Sequence, residues 1–449
     1  MARVSAKIEG LSDFFHDEWP TSYSTWLPGG VAPAPKSLFC NPVLADTYDR
    51  ILSEAEAAKG REAQIEAARR AIYEGFVAEA IDTYVQDACV MDGAGERRKG
   101  VLTADDMAGW QASYEAPLSV EYEDWTVWKV GMWSQGPAML QSLRMLEGSG
   151  VAGMDICGAD FVHTVTEAMK LSFADREAYY GDPNHTDIPT DTLLSRDYAA
   201  KRRALIGAQA SREQRPGAID GFDLWTQSAI MRAGQYSVAG PGAGGGEPTM
   251  AHLSEKRGDT VHIDVIDQWG NMISATPSGG WLQSSPVVPG LGMPLNSRAQ
   301  MFWLTEGVPT SLAPGRRPRT TLSPSIAGRG TPSLAFGTPG GDQQDQWQLI
   351  LFLRLVHSDL NLQAAIDAPL FNTSHFQGSF YPRSTQPGHL MAEPAFGEAV
   401  LADLRARGHD LHVAEPWTVG RLTAASRDSN GLLRAAATPR LMQAYAVGR

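Results

Sequence analysis

The chain has 449 residues, of which 43% are hydrophobic, so it can bury a substantial core. Its 38 lysines and arginines against 51 aspartates and glutamates give a formal net charge of −13, which argues against nucleic acid or an anionic membrane as its main partner. Cys40, Cys89 and Cys157 lie far apart and form no CxxC or Cys/His motif, so we predict free thiols.

No stretch is long and apolar enough to cross a membrane, and the first residues do not resemble a signal peptide, so we predict a cytoplasmic protein. His163 and His185 have no partner at metal-ligand spacing. The GxGxxG match at 240–245 has no strand before it and no helix after it, and the GxSxG and HExxH motifs are absent from the sequence. We therefore predict no metal ion and no cofactor.

The first half of the chain is predicted to be mainly helical. Apolar residues recur there at three- and four-residue intervals, and Thr103 offers its hydroxyl to the backbone of Asp106 as a helix cap. One strand is predicted where apolar and polar residues alternate over 118–130. The helical pattern covers 42–52, 62–87, 137–146 and 160–180.

A threonine follows the most flexible part of the sequence. The glycine- and proline-rich segment 240–248 holds neither a helix nor a central strand, so we predict an accessible linker. Beyond it, Val261, Ile263 and Val265 alternate with less apolar residues ahead of a Gly-Asn turn, which predicts a β-hairpin led by Thr260.

This layout is the one expected where a precursor cuts itself and exposes Thr260 as a new N-terminus. An N-terminal threonine carries its nucleophile and its base together, because its α-amine, with an ordinary pKa of about 7.7–8.0, accepts the hydroxyl proton. The alternative is a linker followed by an ordinary strand threonine, and composition alone favours that alternative.

Three runs further along the chain have features that are expected around a catalytic site. The run 294–302 is polar at its centre and predicts a loop that reaches into a pocket, and 314–325 is rigidified by prolines around two adjacent hydroxyl residues. The run 333–342 is a short apolar strand that ends in Gly340-Gly341, before a helix over 343–356. A Gly-Gly turn at a helix N-terminus leaves N–H groups free to bind an oxyanion, although it also serves as a plain tight turn.

Together these runs resemble the γ-glutamyltranspeptidase family of N-terminal nucleophile hydrolases. The matching motifs are Thr260-Val-His262, Arg317-Pro318-x-Thr-Thr-x-Ser-Pro and Gly337-Thr-Pro-Gly340-Gly341, and the similarity covers all of 260–449. The resemblance implies an α+β fold of four αββα layers, made as a precursor and cut into two interleaved subunits. The large-subunit portion would be 1–259, ending in the linker 240–248, and the small subunit would be 260–449.

The resemblance also implies roles for individual residues. Thr260 would be the nucleophile, released by cleavage of the Asp259–Thr260 bond, and Ser278 would steady its amine. Gly340 and Gly341 would form the oxyanion hole. The residues that would bind substrate are Asn296, Arg298, Thr320 and Thr321.

Two departures from the family pattern change the expected substrate and the expected completeness of the fold. The acidic group that holds a substrate α-ammonium is replaced by Met301, Gly280 replaces a side-chain amide, and Arg298 adds a positive charge. A cation there repels an α-ammonium and attracts an acyl group with a carboxylate or carbonyl. Family members also carry an additional N-terminal part, so the resemblance predicts an N-terminally incomplete fold.

The leading hypothesis is a self-processing amidohydrolase that cleaves a small acyl amide, such as a glutaryl amide or oxamate, through a Thr260 acyl-enzyme. Hydrolysis is favoured over acyl transfer to an amine. The alternatives are a γ-glutamyltransferase or glutathione hydrolase, and an inactive, uncleaved, truncated family member. The predicted partners are the small-molecule substrate and the two subunits of one precursor, and a homo-oligomer is left open.

Overall fold

The structure is a computed structural model that describes residues 2–235, 260–279, 282, 284–380 and 383–448. These residues form two compact units, which are described separately below. The first unit contains 2–114 and the residues described between 279 and 297. The predicted linker 240–248, Asp259 and Gly280 lie outside the described residues. The predicted subunit boundary after residue 259 stays a prediction.

The first unit consists mainly of helices, and local capping explains where several of them begin. Asn41 Oδ1 accepts a hydrogen bond from Leu44 N at 3.1 Å, ahead of a proline in the first turn. Thr103 and Asp106 form the predicted cap reciprocally. The elements are α1 (Ala2–Glu9), α2 (Ser12–Asp17), α3 (Pro20–Trp26), α4 (Pro42–Glu56), α5 (Arg61–Tyr73), α6 (Phe76–Asp87), β1 (Val90–Met91), β2 (Arg97–Arg98) and α7 (Ala104–Ala108).

The continuous helix predicted over 62–87 was wrong. The structure has two helices, α5 and α6, separated at Glu74 and Gly75. A Cβ on Gly75 would lie 3.1 Å from the Ala71 Cα, so glycine permits the chain to turn closely past the end of α5. Apolar periodicity continues across this break, which is why the sequence pattern did not reveal it.

The second unit contains the larger core and all the remaining elements. Its helices are α8 (Pro137–Leu146), α9 (Ala159–Tyr179), α10 (Thr190–Leu193), α11 (Arg196–Arg203), α12 (Asp223–Gln235), α13 (Gln344–His357), α14 (Leu362–Asp367) and α15 (Glu398–Ala406). Its strands are β3 (Leu118–Tyr122), β4 (Trp125–Lys129), β5 (Ile263–Ile266), β6 (Met272–Ala275), β7 (Ser325–Arg329), β8 (Thr331–Gly337), β9 (Phe371–Asn372), β10 (His389–Ala392), β11 (Asp410–Val413), β12 (Thr423–Arg427) and β13 (Leu433–Ala437). No helix of the described residues is both long and apolar enough to span a membrane.

A six-stranded antiparallel sheet organises this unit, in the order β13-β12-β8-β7-β4-β3. Helices α8 and α13 pack against it, and α9 packs against α8. Val127, Ala327 and Phe336 are fully buried in the resulting core. The single strand predicted over 118–130 was wrong, because it folds back at Glu123, which adopts a φ of 52°, and forms the hairpin of β3 and β4.

The predicted hairpin forms as β5 and β6, with Val265 paired to Ile273 and Gly270 at a φ of 90° in the turn. It packs as a second, two-stranded layer against β8 and β12. Its inward side is polar, because the side chains of His262 and Asp264 are 0% and 3% exposed. Its outward side is apolar and about half exposed, at Val261, Ile263, Val265 and Ile273. The hairpin thus reverses the usual inside-outside pattern of a soluble sheet.

Candidate active site

The structure brings Thr260 and Ser278 together at the open end of the hairpin. Val261 N donates to Pro277 O at 3.2 Å, which holds the two chain segments side by side. Thr260 Oγ1 donates to Ser278 Oγ at 3.0 Å, and Thr260 is 5% exposed. The predicted nucleophile is therefore buried, with its hydroxyl on Ser278. The predicted role of Ser278 in steadying the amine of Thr260 stays a prediction.

His262 joins this strand to the end of β8. Its Nδ1 lies 2.7 Å from Thr276 Oγ1, and its Nε2 lies 2.9 Å from Asp264 Oδ1, so both ring nitrogens are occupied. The ring lies so close to Gly337 that a Cβ there would approach His262 Cε1 to 2.1 Å. Gly337 thus allows the strand that begins at Thr260 to lie against the end of β8. The segment 337–341, which contains the Gly340-Gly341 turn and is called the glycine turn below, begins at this point.

The strand, turn and helix predicted around Gly340 and Gly341 are present. Gly340 has a φ of 144° and Gly341 a φ of 56°, both disfavoured for residues with side chains. A Cβ on Gly340 would also lie 2.5 Å from the Trp347 ring. Gln343 N donates to Gly340 O at 3.1 Å as the chain enters α13. The role of this turn as an oxyanion hole stays a prediction.

The paired hydroxyls of Thr320 and Thr321 are buried. The two residues are 8% and 0% exposed, and neither Oγ1 has a hydrogen-bond partner among the residues that the structure describes. Thr320 N donates to Trp133 O at 2.8 Å, and Gln135 N donates to Thr320 O at 2.9 Å, so the backbone is held on both sides. A buried hydroxyl without a partner is costly, which is consistent with a ligand that completes its hydrogen bonds.

Arg298 lies one aromatic ring away from the glycine turn. It opens a short 3-10 helix over Arg298–Met301 and is 7% exposed. Its Cζ is 5.6 Å from the Phe380 ring centroid, and a Cβ on Gly341 would lie 3.4 Å from Phe380 Cε2. Asn296 belongs to the first unit, where its Cβ lies 3.5 Å from the position of a Cβ on Gly279. Its predicted role in substrate binding stays a prediction.

A buried charge network that the sequence analysis did not predict lies directly behind the turn. Arg176 pairs with Asp342 at 2.5 Å, and Asp342 Oδ2 accepts from Ser379 N at 2.9 Å. Burial by itself raises the pKa of Asp342, but the guanidinium groups of Arg176 and Arg319 outweigh it and hold the pKa below its usual value. Burial, reinforced by Arg176, lowers the pKa of Arg319 to about 10. The Ala-Asp-Arg run at the end of α9 was the available signal, but its partner is far away in sequence.

His163, Glu167 and His409 form a second buried cluster, whose ligand atoms lie within 4.8 Å of one another. His163 Nδ1 lies 2.9 Å from His409 Nε2, and His163 Nε2 lies 2.8 Å from Gly207 O. Lys170 Nζ forms an ion pair with Glu167 Oε1 at 2.6 Å. These hydrogen bonds and the ion pair already engage both ring nitrogens of His163 and the carboxylate of Glu167, so we assign the cluster no metal.

The layered α+β fold, with a two-stranded hairpin packed on a six-stranded sheet, is that of the N-terminal nucleophile hydrolases. Within that class, the model of the gamma-glutamyltranspeptidase family matches residues 1–448. The chain belongs to this family, as its motifs predicted.

Two curated relatives carry the names of amide-cleaving proenzymes. The chain is 29% identical over 343 residues to the Acylase ACY 1 proenzyme of Pseudomonas sp. (strain SE83), covering 75% of this chain and 53% of the relative. It is 28% identical over 447 residues to the oxamate amidohydrolase proenzyme of Klebsiella pneumoniae subsp. pneumoniae, covering 98% and 71%. The chain thus spans about half the length of the first relative and about seven tenths of the second.

A solved structure confirms the predicted fold class. The chain is 48% identical to LmbA2991HD and superimposes on its structure with a TM-score of 0.88, over 99% of this chain and 75% of that one. The N-terminal incompleteness that the motifs suggested stays a prediction.

Proposed function

We propose that the protein is an N-terminal nucleophile amidohydrolase that releases its own nucleophile by cleaving the Asp259–Thr260 bond. The observation that carries this proposal is the buried contact between Thr260 Oγ1 and Ser278 Oγ, on a strand that lies against the start of the glycine turn. The proenzyme names of both relatives support processing. The cytoplasmic location and the oligomeric state are further predictions.

In the proposed mechanism, the freed α-amine of Thr260 accepts the proton of Oγ1, and Oγ1 attacks the carbonyl carbon of the substrate amide. The N–H groups of Gly340 and Gly341 stabilise the tetrahedral oxyanion. The C–N bond of the substrate then breaks. The amine part of the substrate leaves with the proton that the α-amine of Thr260 had accepted, and the acyl part remains as an ester on Thr260 Oγ1. Water, activated by the same amine, hydrolyses this ester and regenerates the hydroxyl.

The proposed substrate is a small amide whose acyl part carries a carboxylate or a second carbonyl. Arg298 is buried and lies across Phe380 from the glycine turn, so it offers a positive charge on the acyl side of the site. The two hydroxyls of Thr320 and Thr321 would bind carbonyl or carboxylate oxygens. An oxamate amidohydrolase among the relatives agrees with an acyl group of this kind.

Two other functions compete with this one. A γ-glutamyltransferase or glutathione hydrolase is favoured by the name of the family, but a γ-glutamyl group carries an α-ammonium, which Arg298 would repel. An inactive, uncleaved family member would not need Thr260, Ser278 and the glycine turn, and the chain retains all three.

The experiment that tests processing is intact-mass and gel analysis of the purified protein beside Thr260→Ala. We expect two fragments from the parent, the smaller beginning at Thr260, and a single chain from Thr260→Ala, because the variant lacks the hydroxyl that attacks the preceding peptide bond. Ser278→Ala is a graded control, which should slow cleavage without abolishing it.

The cleaved protein would then be given glutaryl and γ-glutamyl p-nitroanilides. Release of nitroaniline from the glutaryl compound supports the proposed substrate class, and release from the γ-glutamyl compound alone supports the transferase alternative. A single uncleaved chain from the parent, inactive on both compounds, would leave the inactive family member as the remaining explanation.

A further inference from the structure

Gln135, which lies two residues before α8, touches two parts of the candidate site at once. Its side-chain Nε2 donates to Gly341 O at 2.9 Å, and its backbone N donates to Thr320 O at 2.9 Å. The residue is 0% exposed, so neither bond is exchanged for water. One buried residue therefore connects the glycine turn to the backbone of Thr320.

Arg176 fixes which way the Gln135 amide faces. Its Nη1 donates to Gln135 Oε1 at 2.9 Å. A guanidinium can only donate, so the amide oxygen must face Arg176 and the NH₂ group must face the Gly341 carbonyl. Arg176 is itself fully buried and held by Asp342 at 2.5 Å and Glu177 at 2.8 Å. The orientation of the amide is thus imposed by a rigid ion-pair network.

The turn needs such an anchor because it contains two adjacent glycines, and glycine has more backbone freedom than any other residue type. An oxyanion hole works by holding its N–H donors in place before charge develops, and support from neighbouring side chains provides that rigidity. Among the described residues, Gln135 is the side chain that donates to the carbonyl of Gly341.

We propose that Gln135, oriented by Arg176, is a positioning residue that holds the Gly340-Gly341 turn in register with Thr320 and Thr321. The inference rests on the proposed function for its catalytic consequence, but the restraint on the turn is a property of the chain itself.

The test compares Gln135→Glu, Gln135→Leu and Gln141→Leu with the parent. Gln135→Glu keeps an acceptor for Arg176 but replaces the donor to Gly341 O with a carboxylate oxygen, which repels that carbonyl. Gln141 is a matched control, since it is also a buried glutamine, 2% exposed. Its Nε2 donates to Asp175 Oδ2 at 3.1 Å and to Leu193 O at 3.3 Å, and its Oε1 accepts from the Tyr180 hydroxyl at 2.6 Å, so its bonds go to residues other than Gly341, Thr320 and Arg176. Melting temperatures of all four proteins separate a loss of stability from a loss of positioning.

With the anilide that the parent hydrolyses, we expect both Gln135 variants to lower kcat roughly 10- to 100-fold, with KM changed about 3-fold or less, because misplaced oxyanion donors affect the transition state more than the bound substrate. Gln141→Leu should keep the parental kcat. Equal losses of kcat in Gln135→Leu and Gln141→Leu would show a purely structural effect and overturn the proposal.

Hydrogen exchange of the backbone amides at 340–343, followed by mass spectrometry without substrate, tests the restraint independently. We expect faster exchange in both Gln135 variants and parental exchange in Gln141→Leu. Parental exchange in the Gln135 variants overturns the proposal, and so does faster exchange with an unchanged kcat. If the parent hydrolyses no anilide, the proposed function fails by itself, and the exchange result still decides whether Gln135 restrains the turn.

Discussion

At the scale of single residues, the candidate site contains the buried side chain of Arg298 and the two buried hydroxyl groups of Thr320 and Thr321. Arg298 is 7% exposed and lies beside Phe380, while Thr320 and Thr321 present hydroxyls without partners among the described residues. Buried groups of this kind bind a ligand more strongly than exposed ones, because water does not compete for them. Acyl-group preference is thus expected to depend on individual side chains here.

We predict that Arg298→Met weakens the binding of an anionic acyl group. KM for glutaryl p-nitroanilide should rise about 10- to 100-fold, since a hydrogen bond to a charged group contributes about 1.5–3 kcal/mol. The butyryl anilide, which has a neutral acyl group, should keep its KM. Steady-state kinetics on both substrates gives the comparison.

Arg329→Met serves as the control for this substitution, because the Arg329 side chain is 59% exposed and pairs with Asp124 at the surface. An equal rise in KM for the glutaryl and butyryl substrates would contradict a charge-based role for Arg298 and indicate lost packing against Phe380.

At the scale of elements, the critical contact is between the hairpin and β8. His262 on the hairpin strand fills the space beside Gly337, and Ser274 Oγ on β6 donates to Phe336 O at 3.3 Å. Asp264 extends this contact to β12 through Thr423, whose Oγ1 donates to Asp264 Oδ2 at 2.8 Å. The position of the strand that begins at Thr260 therefore depends on close packing between the hairpin and the six-stranded sheet.

We predict that Gly337→Ala destabilises this contact. The added Cβ would lie 2.1 Å from His262 Cε1, and overpacking of this kind costs about 1–3 kcal/mol of unfolding free energy. Cleavage before Thr260 should slow as well, since the strand is displaced from the turn. Urea denaturation and a time course on gels measure the two effects.

Gly153→Ala is the matched control, because a Cβ on Gly153 meets nothing within 4 Å. The double variant His262→Ala/Gly337→Ala should lose less stability than the sum of the two single variants, since removing the ring makes room for the new methyl group. Strict additivity of the two effects would argue against the contact.

At the scale of the whole molecule, buried histidines make the free energy of unfolding depend on pH. Burial lowers the pKa of His375 to about 3, of His389 to about 4 and of His409 to about 3, and the charge of Lys170 contributes in each case. Arg212 and Arg215 also face this group, while Asp410 opposes the shift at His389. All three histidines are therefore neutral in the folded protein at neutral pH.

We predict that the protein loses stability as the pH falls below about 6.5. The folded pKa values are lower than the ordinary value of 6.5, so the unfolded chain binds more protons between pH 6.5 and about 4. Each histidine contributes up to about 1.4 kcal/mol per pH unit in that window. The stabilisation is fully present above pH 6.5. Urea denaturation of uncleaved Thr260→Ala at pH 7 and pH 5 measures the loss.

In that background, His375→Gln should reduce the difference between the two pH values. His16→Gln should leave it unchanged, because the His16 side chain is 66% exposed. An unfolding free energy that does not differ between pH 7 and pH 5 would contradict the assignment of neutral buried histidines.

Local sequence patterns were sufficient for parts of the fold and of the site. The cap at Thr103, the hairpin turn at Gly270 and the strand-turn-helix around Gly340 each depend on a few neighbouring residues, and all three are present. The break between α5 and α6 at Gly75 was missed because apolar periodicity continues across it. The turn at Glu123 was missed although the apolar alternation shifts there from even to odd positions.

By itself, the sequence determined the family, the fold class and the order of the candidate site residues, because these follow from motifs and spacing along one chain. Only the tertiary structure decided which distant residues meet: His262 with Gly337, Arg176 with Asp342, and Gln135 with both Thr320 and Gly341. These contacts are set by how the helices and sheets pack, and a buried polar side chain reveals its partner only when that packing is known.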